Sequence, residues 1–161
     1  MSRLSAINAV IGCADLAYGR PGAAIVGTPG AYRPPGEYAV VDMISSASPW
    51  GAAVNTVVAG SAFSENVERL IEGVISVNFY RGDAHDVANK FVTISSSENA
   101  RRLFYNASIG VTRVSDIRNL DTIVRGEVER RAQIDIYVNY KTTSSSDAGV
   151  IDSVEISGEI Q

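Results

Sequence analysis

The chain has 161 residues, of which 45% are hydrophobic and 20% charged. This length and composition predict one domain with a hydrophobic core and exclude a mainly disordered chain. The 18 acidic residues outnumber the 14 basic ones, and the formal charge of −4 disfavours non-specific nucleic-acid binding, which needs clustered Lys and Arg. The single cysteine, Cys13, excludes an internal disulfide and a cysteine-rich zinc site, and it fits a reducing compartment.

The start of the chain shows no targeting signal. Residues 1–16 lack the long apolar segment of a secretory signal peptide. No stretch approaches ~18 consecutive apolar residues, the length that a membrane-spanning helix needs. We therefore expect a cytoplasmic protein that does not contact a membrane.

The N-terminal part of the sequence predicts one helix and two strands. Apolar residues recur on one helical face, namely Leu4, Ile7, Ile11, Ala14 and Tyr18. Gly19 and Pro21 then end this helix. Glycines and prolines leave room only for a short strand at residues 24–26. Residues 38–44 predict a strand that is apolar on both faces and therefore internal in its sheet.

Residues 45–64 contain no charged side chain and consist mainly of Ser, Ala, Gly and Val. Two interpretations stay open, since this uncharged segment either packs within the domain as a loop or hairpin or lies against another subunit. Trp50 is the only tryptophan and lies in this segment. It is equally well explained as a local packing residue and as an interface anchor.

The middle of the chain predicts a strand followed by two short helices. Residues 71–80 alternate between a core face and a mixed face, as a strand does. Asp83 is placed to cap the next helix. The three serines at residues 95–97 break the helical register, so we expect two helical pieces instead of one long helix.

The last third predicts two strands joined by a turn. Alternation holds from Glu127 to Tyr140, and a strand of that length would extend ~46 Å, so it projects from its domain or is paired along its length by a neighbour. The polar residues 141–147 predict a mobile turn. Residues 150–160 then predict a final strand, paired with the preceding one as a hairpin.

Together these elements predict an α+β fold that forms a single domain over residues 1–161. The expected architecture is one mixed, mainly antiparallel β-sheet of four to five strands, flanked by two to three helices. The uncharged residues 45–64 would be a loop or hairpin attached to that sheet.

Patterns for catalysis or metal binding are weak. His85, the only histidine, lies between Asp83 and Asp86. We favour a helix start whose carboxylates face the positive helix end over a metal site, because no further ligands are suitably spaced. Cys13 is better explained as a packed thiol than as a nucleophile, and the glycines at residues 27–30 lack the Lys-Ser/Thr of a phosphate loop. We therefore expect no catalytic residue, cofactor or metal site, and no enzyme.

Two groups of charged residues are candidates for contacts. Arg101 and Arg102 lie on a predicted helix, while Glu129, Arg130 and Arg131 crowd the start of the long strand. Exposed ion pairs add little stability, so solubility is one interpretation. Mixed charges also suit a boundary between subunits, where opposite signs fix the register of the contact.

Several short segments occur in an order that resembles a known family. They are a Pro-Gly-x-Tyr strand at residues 33–41, a strand ending in Phe-Tyr at residues 73–80, a helix opening at Asp83-Ala84, the segments 109–110 and 117–121, an Arg-Ala-Gln strand at residues 129–136 and a last strand at residues 149–156. In this order they look like the neck or tail-terminator proteins of tailed bacteriophages. The resemblance covers residues 24–160, and the uncharged segment is longer than the family leads one to expect.

This resemblance implies a structural virion protein. Such a subunit assembles as a ring, commonly a hexamer, on the head-proximal end of the tail, stops polymerisation of the tube (and of the sheath, if present) and joins the tail to the neck. The implied partners are other copies of the chain, the tail tube protein, the sheath protein of a contractile tail, and a neck or head-completion protein. Genomic DNA would pass through the lumen without sequence-specific binding. The implied location is the tail or neck of the virion, after assembly in the host cytoplasm.

We expect contacts between subunits at six residues, Trp50, Arg101, Arg102, Glu129, Arg130 and Arg131. Three alternatives stay open. The chain could be a head-completion or tube component of the same particle. It could be a small metal-dependent hydrolase that uses Asp83, His85 and Asp86. It could also be a binding module that takes up a partner strand at an exposed sheet edge.

Overall fold

A seven-stranded sheet carries three helices in the computed structural model, which describes residues 3–28, 30, 33–59, 62–124 and 126–147. The helices are α1 (Arg3–Tyr18), α2 (Ala84–Ser95) and α3 (Glu98–Asn106). The strands are β1 (Ala24–Val26), β2 (Tyr38–Ala47), β3 (Ala53–Ala59), β4 (Ala62–Tyr80), β5 (Ile109–Val114), β6 (Arg118–Asn119), β7 (Thr122–Val124), β8 (Glu127–Glu129) and β9 (Arg131–Asp147). No helix in these ranges has both the length and the apolar character to cross a membrane.

The sheet is mixed but mainly antiparallel, with the strand order β1-β2-β4-β9-β5. β1 and β2 are parallel, and the other pairs are antiparallel, with β3 beside β4 and β6 beside β9. β7 and β8 form a separate two-stranded hairpin. The predicted α+β class is confirmed. The predicted four to five strands are too few for this sheet, because a strand of two residues such as β6 leaves no periodic pattern in the sequence.

The longest feature of the sheet is the ladder between β4 and β9. Its register runs without a shift from Ser64 opposite Asp147 to Tyr80 opposite Arg131. At the usual rise per residue this ladder is roughly 55 Å long. The long strand expected from the sequence is therefore paired along its length by a strand of the same chain.

Residues 45–47 and 53–59 of the uncharged segment run along the other edge of β4. β2 pairs with residues 72–80 of β4, and β3 pairs with residues 62–68. Since β9 occupies the opposite edge of β4, β2 and β3 follow one another along the same edge. The segment thus forms the outer part of a long hairpin instead of a loop.

The helices pack on one face of the sheet and near one end of the long strands. The buried sheet residues on this face are Ala39, Val41, Met43, Ile75, Val77, Phe79, Ala132, Ile134, Ile136, Val138 and Tyr140. The ring of Phe79 lies 6.1 Å from that of Tyr18 in α1 and 5.6 Å from that of Phe91 in α2. Burial of these apolar side chains is the main source of stability in this part of the molecule.

Beyond this core the sheet continues as three strands that we call the arm, made of β3, residues 62–70 of β4 and residues 141–147 of β9. None of the arm side chains that the structure describes is buried. Most are polar, including Asn55, Thr56, Asn66, Thr142, Thr143, Ser144, Ser145 and Ser146. Lys141 Nζ lies 2.7 Å from Glu68 Oε1 across the strands. The arm is therefore held to the core by its backbone ladder, without hydrophobic burial of its own.

Two predictions for the C-terminal third are wrong. Residues 141–147 continue β9 instead of forming a turn, because Thr favours extended backbone and β4 offers each residue a partner. The single strand expected over residues 127–140 is broken at Arg130, where the chain passes from the β7–β8 hairpin to the main sheet. The final strand expected at residues 150–160 lies outside the described residues.

Several predictions of local structure are confirmed. The N-terminal helix, the strand Ala24–Val26 and the two helical pieces are present. Asp83 is the N-cap residue of α2, but its side chain makes no capping hydrogen bond and lies 3.8 Å from Arg130 Nη1. Ser97 caps α3, since its Oγ accepts a hydrogen bond from the backbone N–H of Ala100.

Replacing Phe91 with Ala tests where the stability lies. Phe91 is fully buried against Phe79, so we expect Phe91→Ala to lower the free energy of unfolding by about 3–5 kcal/mol through lost burial and a cavity. The control Val54→Ala changes an arm residue that is 55% exposed and should stay within about 0.5 kcal/mol. Urea unfolding followed by far-UV circular dichroism measures both. Equal decreases in the free energy of unfolding for the two variants would contradict a core confined to the end of the sheet that the helices cover.

The thiol of Cys13 gives a second test of the packing. The side chain is fully buried in α1, and this burial raises the pKa of the thiol to about 12. Because the thiolate is the reactive species, the native thiol at pH 8 is both protonated and inaccessible. We expect iodoacetamide to modify Cys13 only in the urea-unfolded chain, as measured by mass spectrometry. Equally fast labelling of the native protein would show that α1 is not packed as described.

Candidate interface surfaces

Arg131 begins β9, directly opposite Tyr80 of β4. Its guanidinium lies 5.2 Å from the centre of the Tyr80 ring, and its Nη2 donates a hydrogen bond of 2.8 Å to Asn78 Oδ1. Both contacts lie within the chain. The structure therefore uses Arg131 to fix the end of the β4–β9 ladder.

The two residues before Arg131 differ in their exposure. Glu129 Oε1 lies 3.7 Å from Arg81 Nε, and its side chain is only 18% exposed. Arg130 Nη1 lies 3.8 Å from Asp83 Oδ1, and these two side chains are 63% and 65% exposed. An exposed pair at that distance contributes little stability. Of the three predicted contact residues at this end, Arg130 is therefore the one most able to meet a partner.

Aromatic and charged side chains cover the opposite face of the sheet near this end. The rings of Tyr38 and Tyr80 stack with their centres 4.9 Å apart, and the Arg81 guanidinium lies 5.5 Å from the Tyr38 ring. Further along, the largely buried Asp135 forms an ion pair with Arg118. These contacts join β2 to β4 and β6 to β9 on this face of the sheet. Sequence alternation marked the face as mixed, but only the strand register shows which side chains meet.

Trp50 lies in the turn between β2 and β3, with 53% of its surface exposed. Ser48 Oγ lies within hydrogen-bond distance of the carbonyl oxygens of Trp50 (3.0 Å) and Leu70 (3.1 Å), which holds the turn against β4. Leu70 itself is also exposed. About half of the Trp50 surface is therefore accessible in a single subunit, and the rest is covered within the chain.

Arg101 and Arg102 are exposed on α3, and neither forms an ion pair with a described residue. Arg101 lines a groove of about 540 Å³ between α3 and β5, which we call the α3–β5 groove. Apolar side chains contribute much of its lining, namely Val92, Phe104, Tyr105, Ile109, Val111 and Val114. An apolar surface with arginine at its border has the composition of many protein-binding sites.

The predicted contact residues do not form one site. The Trp50 turn is held beside Leu70, which lies ten residues along β4 from Tyr80, and this places it about 33 Å from the end that carries Arg131. α3 packs on α1, α2 and β5 instead. The six residues thus belong to three separate surfaces of the subunit.

A fourth exposed surface was missed by the sequence analysis. The β7–β8 hairpin exposes Ile123 by 74%, Val128 by 67% and Val124 by 45%. Ile123 and Val128 are cross-strand partners, so their side chains lie side by side on one face. The apolar residues within 122–128 could have indicated this surface. They were overlooked because Val128 also fits the alternation that predicts the long strand. Clustered exposed apolar side chains on so small an element indicate an interaction surface.

The residues of the hydrolase alternative lie at the start of α2. His85 is exposed, and its Nδ1 lies 3.1 Å from Asn89 Nδ2. Asp83 lies beside Arg130, and Asp86 is exposed in the first turn of the helix. Over the ranges that the structure covers, no group of three or more His, Cys, Asp or Glu side chains is arranged to hold a metal ion.

The structure is a sheet-based subunit with several separate exposed surfaces. The family model of the phage neck terminator protein matches residues 5–161, and the chain therefore belongs to this family. The resemblance expected from the sequence is confirmed, and the protein is a structural component of the bacteriophage neck. No match was found among the curated proteins.

Alanine substitutions at Arg130 and Arg131 separate a surface role from an internal one. We expect Arg131→Ala to lower the free energy of unfolding by about 1.5–3 kcal/mol, because a hydrogen bond from a charged group to Asn78 is lost. Arg130→Ala should change it by less than about 0.5 kcal/mol, since its pair with Asp83 is exposed. Urea unfolding measures both, and Asn78→Ala should reproduce part of the Arg131→Ala loss. Similar losses at both arginines would contradict the internal role of Arg131.

Proposed function

We propose that copies of this protein assemble into a ring, a hexamer in the form we favour, on the head-proximal end of the phage tail. The ring ends growth of the tail tube, and of the sheath where one is present, and it joins the tail to the neck. Membership of the neck terminator family supports the location. The observation that carries the ring is the arm, which extends the sheet far beyond the core of one subunit.

The arm has the properties of a contact between subunits. It orders three strands without burying any of its described side chains, so the entropy lost in ordering it is not balanced by a core of its own. Among the described strands β3 pairs only with β4, which leaves the backbone groups on its outer edge available. A sheet edge of this kind pairs readily with a strand from another chain. A neighbouring subunit would therefore supply what the arm lacks.

Termination follows from geometry, without a chemical step. One face of the ring binds the last layer of the tube, while the other face offers the next tube subunit no docking surface and binds a neck or head-completion protein instead. A subunit in such a ring must contact neighbours on several sides. The separation of the Trp50 turn, the α3–β5 groove and the end that carries Arg130 supports this requirement.

Passage of the genome through the ring is consistent with the charge of the chain. Its formal charge is negative, so a ring of several copies is acidic overall and repels the phosphates of DNA. DNA then moves through the lumen without sequence-specific binding. Assembly would take place in the host cytoplasm, before the tail joins the head.

Electron microscopy of particles made without this protein tests the proposal. We expect tails of uncontrolled length that fail to join heads, because nothing ends tube growth, and normal tails when the wild-type chain is supplied. Size-exclusion chromatography with light scattering should show six copies per assembly for the purified protein or for its complex with tube ends. Tails of normal length that fail only to join heads would contradict termination and favour the head-completion alternative.

A further inference from the structure

The β7–β8 hairpin is a weakly supported element with an apolar face. It is tied to the main sheet by hydrogen bonds of 2.8 Å from Leu120 N to Arg131 O and from Arg131 N to Asp121 Oδ1. A two-stranded hairpin is marginally stable unless another element packs on it. Its Ile123 and Val128 side chains nevertheless remain about 70% exposed (74% and 67%). A partner that covers this face would complete the hairpin.

The α3–β5 groove offers complementary features. Its lining is mixed, with the apolar Phe104 and Ile109 at the buried side and Tyr105 83% exposed at the rim. The polar lining residues are Ser95, Ser96, Arg101, Thr112 and Arg113. β5 is the last strand of the described sheet on this side, so one of its edges has no partner strand among the described residues. Arg101 and Arg102 add positive charge that no described carboxylate pairs with.

We propose that the β7–β8 hairpin of one copy docks in the α3–β5 groove of the next copy. Ile123 and Val128 then cover the apolar wall, and the backbone of the hairpin lies along β5. Glu127 is exposed at the start of β8, beside the turn of the hairpin, and forms no ion pair with a described residue, so it is free to face Arg101. The proposal rests on the proposed ring function and names two surfaces that meet between neighbouring copies, in addition to the arm.

The hairpin does not occupy the groove of its own chain, since Ile123 and Val128 stay exposed. Val114, at the near end of the groove, pairs with Ile136, and Asn119, just before the hairpin, pairs with Ala132. These two points are four residues apart on β9, or about 13 Å, so the two surfaces lie on the same side of the subunit without meeting. A second copy is therefore the occupant that this chain itself provides.

A contact between two different surfaces of the same chain has a defined consequence. It is head-to-tail, so every copy that accepts a hairpin still offers its own to the next copy. Such contacts close into a ring when a whole number of equal rotations from one copy to the next adds up to a full turn. The inferred contact thus provides the repeating step that the proposed ring needs.

Two variants, each damaged on one surface, test the contact. Val128→Asp damages the hairpin, and Arg101→Glu damages the groove. Each alone should raise the dissociation constant for assembly at least about tenfold, because one partner of the contact is lost. Leu4→Asp, at a residue 54% exposed on α1, and Lys90→Glu on α2 are the matched controls and should assemble as the wild type does. Sedimentation velocity measures assembly, and far-UV circular dichroism measures folding.

Mixing the two damaged variants gives a sharper result. The Val128→Asp variant keeps an intact groove, which accepts the intact hairpin of the Arg101→Glu variant. The other two surfaces of this pair, the hairpin of Val128→Asp and the groove of Arg101→Glu, are both damaged, so the contact is not repeated. We therefore expect the mixture to form more dimer than either variant alone does at the same total concentration. Combining Glu127→Arg with Arg101→Glu in one chain should restore assembly, because the charges face each other with reversed sign.

Cross-linking tests the same contact without a destabilised variant. A chain carrying both Val128→Cys and Tyr105→Cys should form a disulfide-linked ladder of three or more copies under oxidising conditions, whereas either single variant should not pass the dimer. The native Cys13 is fully buried and stays out of this reaction. If Val128→Asp and Arg101→Glu form rings as the wild type does, and the double-cysteine chain forms no ladder, this contact is overturned while the ring function stands. A wild-type chain that stays monomeric even with tube ends present would overturn both.

Discussion

The continuous register between β4 and β9 is the constraint on which the rest of the structure depends. The ladder passes without a shift from the helix-covered end to the tip of the arm. A slip of one residue would turn Ile134 and Ile136 away from the helices and force Asp135 into the core. Core burial at one end therefore fixes the position of every arm residue at the other, although the arm has no core of its own.

The two ends of the ladder are chemically different, and this difference suits a protein of the phage neck. At the core end, stacked tyrosines and the hydrogen bond from Arg131 to Asn78 hold the strand ends and the base of the β7–β8 hairpin in place. At the other end the polar arm lies open to a neighbour. A subunit that joins other proteins by shape alone needs such fixed surfaces pointing in different directions, because its function depends on where those surfaces lie.

Local structure was largely predictable from the sequence, and long-range structure was not. The apolar spacing of α1 and the serine break between α2 and α3 act within a few residues, so their patterns were sufficient. Residues 141–147 have a composition typical of turns and become a strand only because β4 lies beside them. The predicted contact residues show the same division between what the sequence could predict and what it could not. Arg130 was expected among the contact residues and is exposed, whereas the internal contacts of Arg131 depend on which residue the register places opposite it.

The composition of the arm has a thermodynamic consequence for any association that it makes. The side chains of the arm that the structure describes are mostly polar, so a partner that covers them removes little apolar surface from water. Binding through the arm should therefore show only a small negative change in heat capacity, and the enthalpy of that step should vary little with temperature. Contacts made through Ile123 and Val128 would behave in the opposite way, so calorimetry at several temperatures distinguishes the two kinds of joint within one assembly.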